Sequence, residues 1–327
     1  MKRKFPMVCG AGVLVMAALA GCSSDKTASP GRATTTARGA STTTAGQNRN
    51  GPFAVGRRTE TFIDPNRKTP ANGTVAEAPT RTLETIIEYP ARGTPNPDSE
   101  LEDAPPVSGQ FPIVVYLHGF GAHADDPYLH PWAAAGFVAV APKFPLTNTD
   151  APGGPNLADV ANEPADVRFV VSQMLHLPTR DADLQRIIDP NAIGVMGGSA
   201  GAFVAFEVTY PSPSLDARIK ATIEESGSGP HGTYPVGASA PLMLIHGTAD
   251  PVAPYQWSEQ EFSVARSPKY FVTLDGAKHI QYDEPWLSIS VRASIDFFDR
   301  YLKGQAAGLR QLSSDANVSG KASLQQE

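Results

Sequence analysis

Cysteine is nearly absent. The chain of 327 residues holds two, Cys9 and Cys22, and no Cys/His grouping has the spacing of metal ligands, so no metal site is implied. Basic charge is not in excess either. Lys and Arg number 27 against 33 Asp and Glu, a net charge of −6, which offers no surface for nucleic acid. No G-x-G-x-x-G fingerprint follows the first strand of the domain, so no dinucleotide or other cofactor is implied. No internal repeat is present. The apolar run Val8–Ala20 is too short to span a bilayer comfortably. What is present is a hydrophobic fraction of 41%, enough for a real core, in a length compatible with one α/β domain and its extensions.

The N-terminus reads as an address and not as part of the fold. Lys2, Arg3 and Lys4 precede the apolar run, which ends in Leu19-Ala20-Gly21-Cys22. This resembles the bacterial lipoprotein box. The resemblance implies a signal peptide over 1–21, a lipid on Cys22 and a protein held at the outer face of a membrane. Cys9 would leave with the signal, so the mature chain could form no internal disulfide. Residues 22–50, rich in Ser, Thr, Ala and Gly, are expected to be a flexible tether. The folded domain is expected over 51–304 and a disordered tail over 305–327.

Within that domain, apolar runs alternate with helical stripes. Thr59–Ile63 and Thr82–Tyr89 read as strands paired near one sheet edge, and 92–108 as a loop. Ile113–Leu117, Phe137–Ala141, Ile193–Met196, Ala221–Ile223, Leu242–Ile245 and Tyr270–Leu274 read as buried strands. A short helix is expected near Trp132–Ala135. Apolar positions Val160, Val167, Val170, Val171 and Met174 predict a helix over 159–177, with Pro164 in its first turn. A second stripe, Trp286, Ile289, Ala293, Phe297 and Tyr301, predicts the helix that closes the domain. Such alternation implies a doubly wound, mostly parallel sheet. Ligands bind such sheets at the carboxyl ends of their strands.

Four stretches at those ends carry chemistry. Gly197-Gly198-Ser199-Ala200-Gly201 lies between an apolar strand and a mostly apolar run that suits a buried helix. G-x-S-x-G in that setting is a nucleophile elbow, in which small residues on either side of the serine relieve crowding in a sharp turn. Taken alone, it leaves open a strand-to-helix turn with an incidental serine. A serine needs a base, and the base needs a partner to fix its tautomer. Ser199, Asp250 and His279 stand in the order serine, acid, histidine. Asp250 lies in good turn chemistry, Thr248-Ala249-Asp250-Pro251. Glu224 and Glu225, at the end of the preceding strand, are rival positions for the acid. His118 and His246 precede loop glycines and are expected to shape those loops. His123, His130, His176 and His231 show no supporting pattern.

At this point the chain resembles the α/β-hydrolase superfamily over residues 80–303. The stretches that carry the resemblance are Tyr116-Leu117-His118-Gly119-Phe120-Gly121, the 197–201 elbow, Ile245-His246-Gly247-Thr248-Ala249-Asp250-Pro251-Val252-Ala253-Pro254, and Gly276-Ala277-Lys278-His279. Within the superfamily the sequence is most similar to dienelactone-hydrolase-like, platelet-activating-factor-acetylhydrolase-like and cutinase-type polyester hydrolases. The resemblance implies Ser199 as nucleophile, His279 as base and then acid, and Asp250 as the orienting acid. It also implies an oxyanion hole made by the backbone N–H groups of Phe120 and Ala200.

The segment from Ser226 to Pro241 is short, where many lipases insert a lid, so an α/β-hydrolase without a large lid is expected. Such an open site suits short-chain esters or exposed polymeric ones. Gly198 departs from the cutinase-type pattern, which usually has His or Trp before the nucleophile. Trp132, Tyr255 and Trp257 could line a cleft or belong to the core. Two other readings stand beside a serine carboxylesterase: an amidase or peptidase on the same triad, and an inert binding lipoprotein.

Overall fold

A computed structural model of the chain describes residues 52–327 apart from 211–212, 228–239 and 281. The leader, Cys22, the tether, His231 and most of the expected lidless segment lie outside the described residues. Two long strands, β1 (Ala54–Asp64) and β2 (Arg81–Ala91), pair antiparallel in register from Ala54–Ala91 to Asp64–Arg81. The 92–108 loop contributes one departure from expectation, a two-residue strand β3 (Leu101–Glu102) that pairs parallel with β1.

The parallel core of the sheet consists of β4 (Phe111–Leu117), β5 (Val138–Pro142), β6 (Ile188–Gly198), β7 (Ile219–Glu225), β8 (Leu242–Gly247) and β9 (Lys269–Leu274). With β10 (Ala322–Gln326) the ten strands run in the order β10-β9-β8-β7-β6-β4-β5-β2-β1-β3. The chain goes from β4 to β5 on one side and then to β6 on the other. That reversal opens a crevice at the carboxyl ends of β4 and β6, where ligands bind in sheets of this kind.

Helices cover both faces because side chains alternate along each strand. Ile113, Val115 and Leu117 of β4 pack with α2 (Glu163–Met174) and α4 (Ala200–Thr209), through Val167, Val170, Val171, Val204 and Val208. Val114 and Tyr116 face the other way, toward α1 (Leu129–Ala134) and α6 (Trp286–Tyr301), through Trp132, Phe297 and Phe298. A third cluster joins Phe206, Leu244 and Phe271 to Phe262 of α5 (Tyr255–Val264). The helix expected over 159–177 begins as a 3₁₀ turn, Leu157–Asn162, and becomes α2 only at Glu163. A four-residue helix, α3 (Ala182–Gln185), precedes β6.

The expected disordered tail is a correction. Residues after Lys303 form α7 (Ala307–Asp315), which buries Leu312, and then β10. β10 pairs antiparallel with β9, from Ala322–Leu274 to Gln326–Tyr270. The polar strand Ala-Ser-Leu-Gln-Gln has little β preference of its own. Its order comes from the open hydrogen-bonding edge of β9, which local composition does not reveal. No helix among the described residues is long and apolar enough to cross a membrane.

Candidate active site

Ser199 sits between β6 and α4 with φ 53° and ψ −117°, a left-handed conformation forced by the sharp strand-to-helix turn. The flanking glycines are required by space. A Cβ on Gly197 would lie 2.0 Å from the Gly201 carbonyl oxygen, and a Cβ on Gly201 would lie 2.0 Å from that of Leu117 at the end of β4. The turn is pinned by the Ser199 N–H, which donates to the Glu225 carbonyl on β7 (2.9 Å). The Ser199 side chain is left partly exposed at the carboxyl end of the sheet.

The loops after β8 and β9 bring the other two groups to it. A Cβ on Gly247 would lie 2.3 Å from the Ala277 carbonyl oxygen, so the glycine after His246 lets the two loops touch. Backbone bonds from Thr248 to Leu274 and from Ala249 to Ala277 join them. His279 Nδ1 lies 2.7 Å from Asp250 Oδ2, and its Nε2 lies 2.9 Å from Ser199 Oγ. A carboxylate can only accept, so Nδ1 carries the proton and Nε2 is free to accept from the serine hydroxyl.

Asp250 has a fully buried side chain, and burial by itself pushes its carboxyl up. Hydrogen bonds from His246 and His279 and from the backbone N–H groups of Val252 (2.8 Å) and Ala253 (2.9 Å) outweigh that effect and hold it well below the usual carboxylate range. Glu224 and Glu225 do not take this place. Both are buried at the end of β7. Glu225 accepts from the Tyr128 hydroxyl (3.0 Å), and burial beside Asp126 pushes its carboxyl up to about 8. The structure therefore pairs His279 with Asp250.

Ala200 is the first residue of α4, so its N–H is one of the helix N-terminal donors without an intrahelical acceptor. The loop after β4 lies against it: a Cβ on Gly119 would be 3.1 Å from Ser199 Cβ. Phe120 follows, at the second position of a turn closed by the Ala122 N–H bonding to the Gly119 carbonyl (3.2 Å). Its side chain is exposed. His118 shapes this loop. Its Nε2 accepts from the Phe144 N–H (3.1 Å), its Nδ1 bonds the Gly119 carbonyl (2.8 Å), and burial pushes its pKa down to about 4, so it stays neutral. Gly198 has a neighbourhood of its own. A Cβ there would lie 3.2 Å from Ile280 Cδ1 and 3.3 Å from the Tyr116 hydroxyl, so these two groups already occupy the space beside it.

Of the aromatic candidates, Trp132 is core, with its Nε1 bonded to Ser294 (2.9 Å). Tyr255 stacks on Phe271 and bonds Thr273, and Trp257 is half-buried. An open groove of about 380 Å³, lined by Pro70, Val75, Ala78, Leu146 and Pro152 among others, includes none of the three triad residues. Glu88, Glu100 and His130 are the one group among the described residues whose ligand atoms approach closely enough for a metal. They are already engaged, Glu88 by Arg57 (2.8 Å) and His130 by Glu100 (2.8 Å).

No protein-family model matches the chain. A stretch of 58 residues is 41% identical to the uncharacterized protein YfhR of Escherichia coli, in strains K12 and O157:H7. It covers 18% of this chain and 20% of YfhR, so the match spans about a fifth of those curated relatives. Among solved structures, the ferulic acid esterase from Streptomyces cinnamoneus superposes with a TM-score of 0.60 at 20% identity, over 78% of this chain and 92% of that one. The fold is that of the α/β-hydrolases.

Proposed function

We propose that the chain is a serine hydrolase of carboxylic esters. The observation that carries this reading is the unbroken line of hydrogen bonds from Ser199 through His279 to Asp250, beside the free N–H at the start of α4. In the proposed reaction, His279 Nε2 takes the hydroxyl proton as Ser199 Oγ bonds to the ester carbonyl carbon. The oxyanion is received by the N–H groups of Ala200 and Phe120. His279 then gives its proton to the departing alcohol, which leaves an acyl-enzyme. Water attacks the acyl carbon by the same steps in reverse and frees the acid and the serine. Asp250 holds the imidazole in the right tautomer and stabilises the imidazolium. The fold shared with a ferulic acid esterase supports an ester as the substrate.

The partly exposed serine suits short-chain esters or polymer chain ends. The lipoprotein-like leader suits substrates met outside the cytoplasm, with the protein anchored to a membrane through Cys22.

The decisive experiment compares residues 51–327 with the Ser199→Ala variant on p-nitrophenyl esters from acetyl to palmitoyl and on matched amides. Turnover that falls with acyl length, favours esters and drops by about a millionfold in the variant is expected. Equal turnover in the variant would overturn the assignment. For the anchor, Cys22→Ser is expected to move the full-length protein from the membrane fraction to the soluble one. Continued membrane association would rule out the lipid.

A further inference from the structure

His246 is completely buried at the end of β8, and its ring is held on both sides. Its Nε2 lies 3.1 Å from Asp250 Oδ2 and 3.0 Å from the Ala253 carbonyl, and its Nδ1 lies 2.7 Å from Ser258 Oγ. A carboxylate and a carbonyl can only accept, so Nε2 carries the proton, and Nδ1 of the neutral ring accepts from the Ser258 hydroxyl. Ser258 is itself buried, on the face of α5 that points at the sheet. Asp250 Oδ2 thus receives two imidazole N–H donors, one from His279 and one from His246, while Oδ1 receives two backbone N–H groups.

We propose that His246 is a positioning residue of the site: aligned by Ser258, its Nε2–H clamps the Asp250 oxygen that also holds His279, and so sets how strongly Asp250 draws on that imidazole. This rests on reading Ser199, His279 and Asp250 as the reacting triad, and it extends that triad by a second histidine behind the acid. The titratable groups that face His246 are Asp250 on its own loop, His279 across that carboxylate, and Tyr255 of α5. The Tyr255 ring stands edge-on to the imidazole, and its hydroxyl is taken by Thr273.

The direction of the effect follows from charge. A hydrogen bond donated to the carboxylate disperses its negative charge. Without the His246 donor, Asp250 Oδ2 concentrates more charge on the His279 Nδ1–H and favours the imidazolium. The His279 imidazolium is then stabilised relative to the unaltered protein, and its proton is held more tightly. The Ser258 hydroxyl strengthens the donor by polarising the ring, so its loss acts in the same direction with a smaller effect.

The test is the titration of His279 followed by NMR of its ring protons, which needs no turnover and so stands apart from the ester reading. His246→Leu is expected to raise the His279 pKa by about half a unit to one unit. His246→Gln, whose amide N–H can replace Nε2–H, is expected to return it toward the starting value. Ser258→Ala gives a smaller rise, and it serves alone should the leucine variant fail to fold. In parallel, the acid limb of kcat/KM for a p-nitrophenyl ester should move up in pH by the same amount. An unchanged or lowered His279 pKa in the Leu and Ala variants would overturn the proposal. A shifted pKa in a protein without Ser199-dependent turnover would sustain the clamp and refute the esterase.

Discussion

Gly201 and Asp250 show how narrow the tolerance is at single positions. The Gly201 Cβ site falls on backbone, the Leu117 carbonyl at 2.0 Å, which cannot swing aside as a side chain could. Gly201→Ala is therefore expected to lose about 3 kcal/mol of stability, measured by urea unfolding, together with activity. Gly198→Ala meets only Ile280 Cδ1 and the Tyr116 hydroxyl at 3.2 and 3.3 Å, side-chain atoms that can give way, and it should fold at near-native stability. Asp250→Asn keeps the shape but loses the charge and can reverse the histidine tautomer. Its kcat is expected to fall about 10⁴-fold with the melting temperature much less affected, as steady-state kinetics and calorimetry can check. The sequence made Ser199, His279 and Asp250 visible because each stands in a short motif after an apolar strand. Ser258 carries no such signal: a serine in an amphipathic helix shows nothing of the imidazole it will face.

At the scale of elements, two connections tie outlying parts of the fold to the sheet. Arg81, at the start of β2, is buried and forms paired bonds with both Asp159 and Asp166 (2.6–3.2 Å). It ties the antiparallel hairpin to the start of α2. Arg81→Leu leaves two buried carboxylates without this partner, and a loss of about 3–5 kcal/mol is expected in denaturant unfolding. The second connection is the C-terminal pair α7 and β10. Ending the chain at Lys303 strips Leu312 from the core and reopens the edge of β9, whose following loop holds His279. Leu312 alone is worth about 2 kcal/mol, so a melting temperature lower by roughly 4–8 °C, with increased self-association, is expected by calorimetry and light scattering.

Across the whole molecule, buried acids set the response to pH. Burial pushes the carboxyls of Glu225 and Asp296 from the ordinary range up to about 8. Between the ordinary value and 8, the folded chain keeps protons that the unfolded chain has lost. Their contribution is thus full below about pH 4.5 and is lost as pH rises toward 8. Asp64, Asp216 and Asp250 are shifted down, against the effect of their burial, by hydrogen bonds from Arg67, Arg218 and the two histidines respectively. Their contribution is full above about pH 4 and is lost as pH falls further. Stability should therefore be greatest at about pH 4 to 4.5 and decline toward pH 8.5. Glu225→Gln should flatten the decline in thermal unfolding measured across that range, and an unchanged slope would show that Glu225 titrates normally in the fold.

The parallel strands, the crossover helices and the order serine, acid, histidine were legible in the residues themselves. Each depends on local pattern: apolar runs of strand length, a 3.6-residue stripe, small residues around a turn. Tertiary structure alone decided among the rest. Asp250 follows a strand, Glu224 and Glu225 end one, and all three are carboxylates; the choice came from which of them His279 meets, a contact between the loops that follow the neighbouring strands β8 and β9. Trp132 went to the core because α1 packs its ring on Phe298. Ala322–Gln326 became a strand because β9 had an unpaired edge. In each case the deciding partner lies far along the chain, and a hydrogen bond or packing contact between distant residues leaves no periodicity in the sequence of either one.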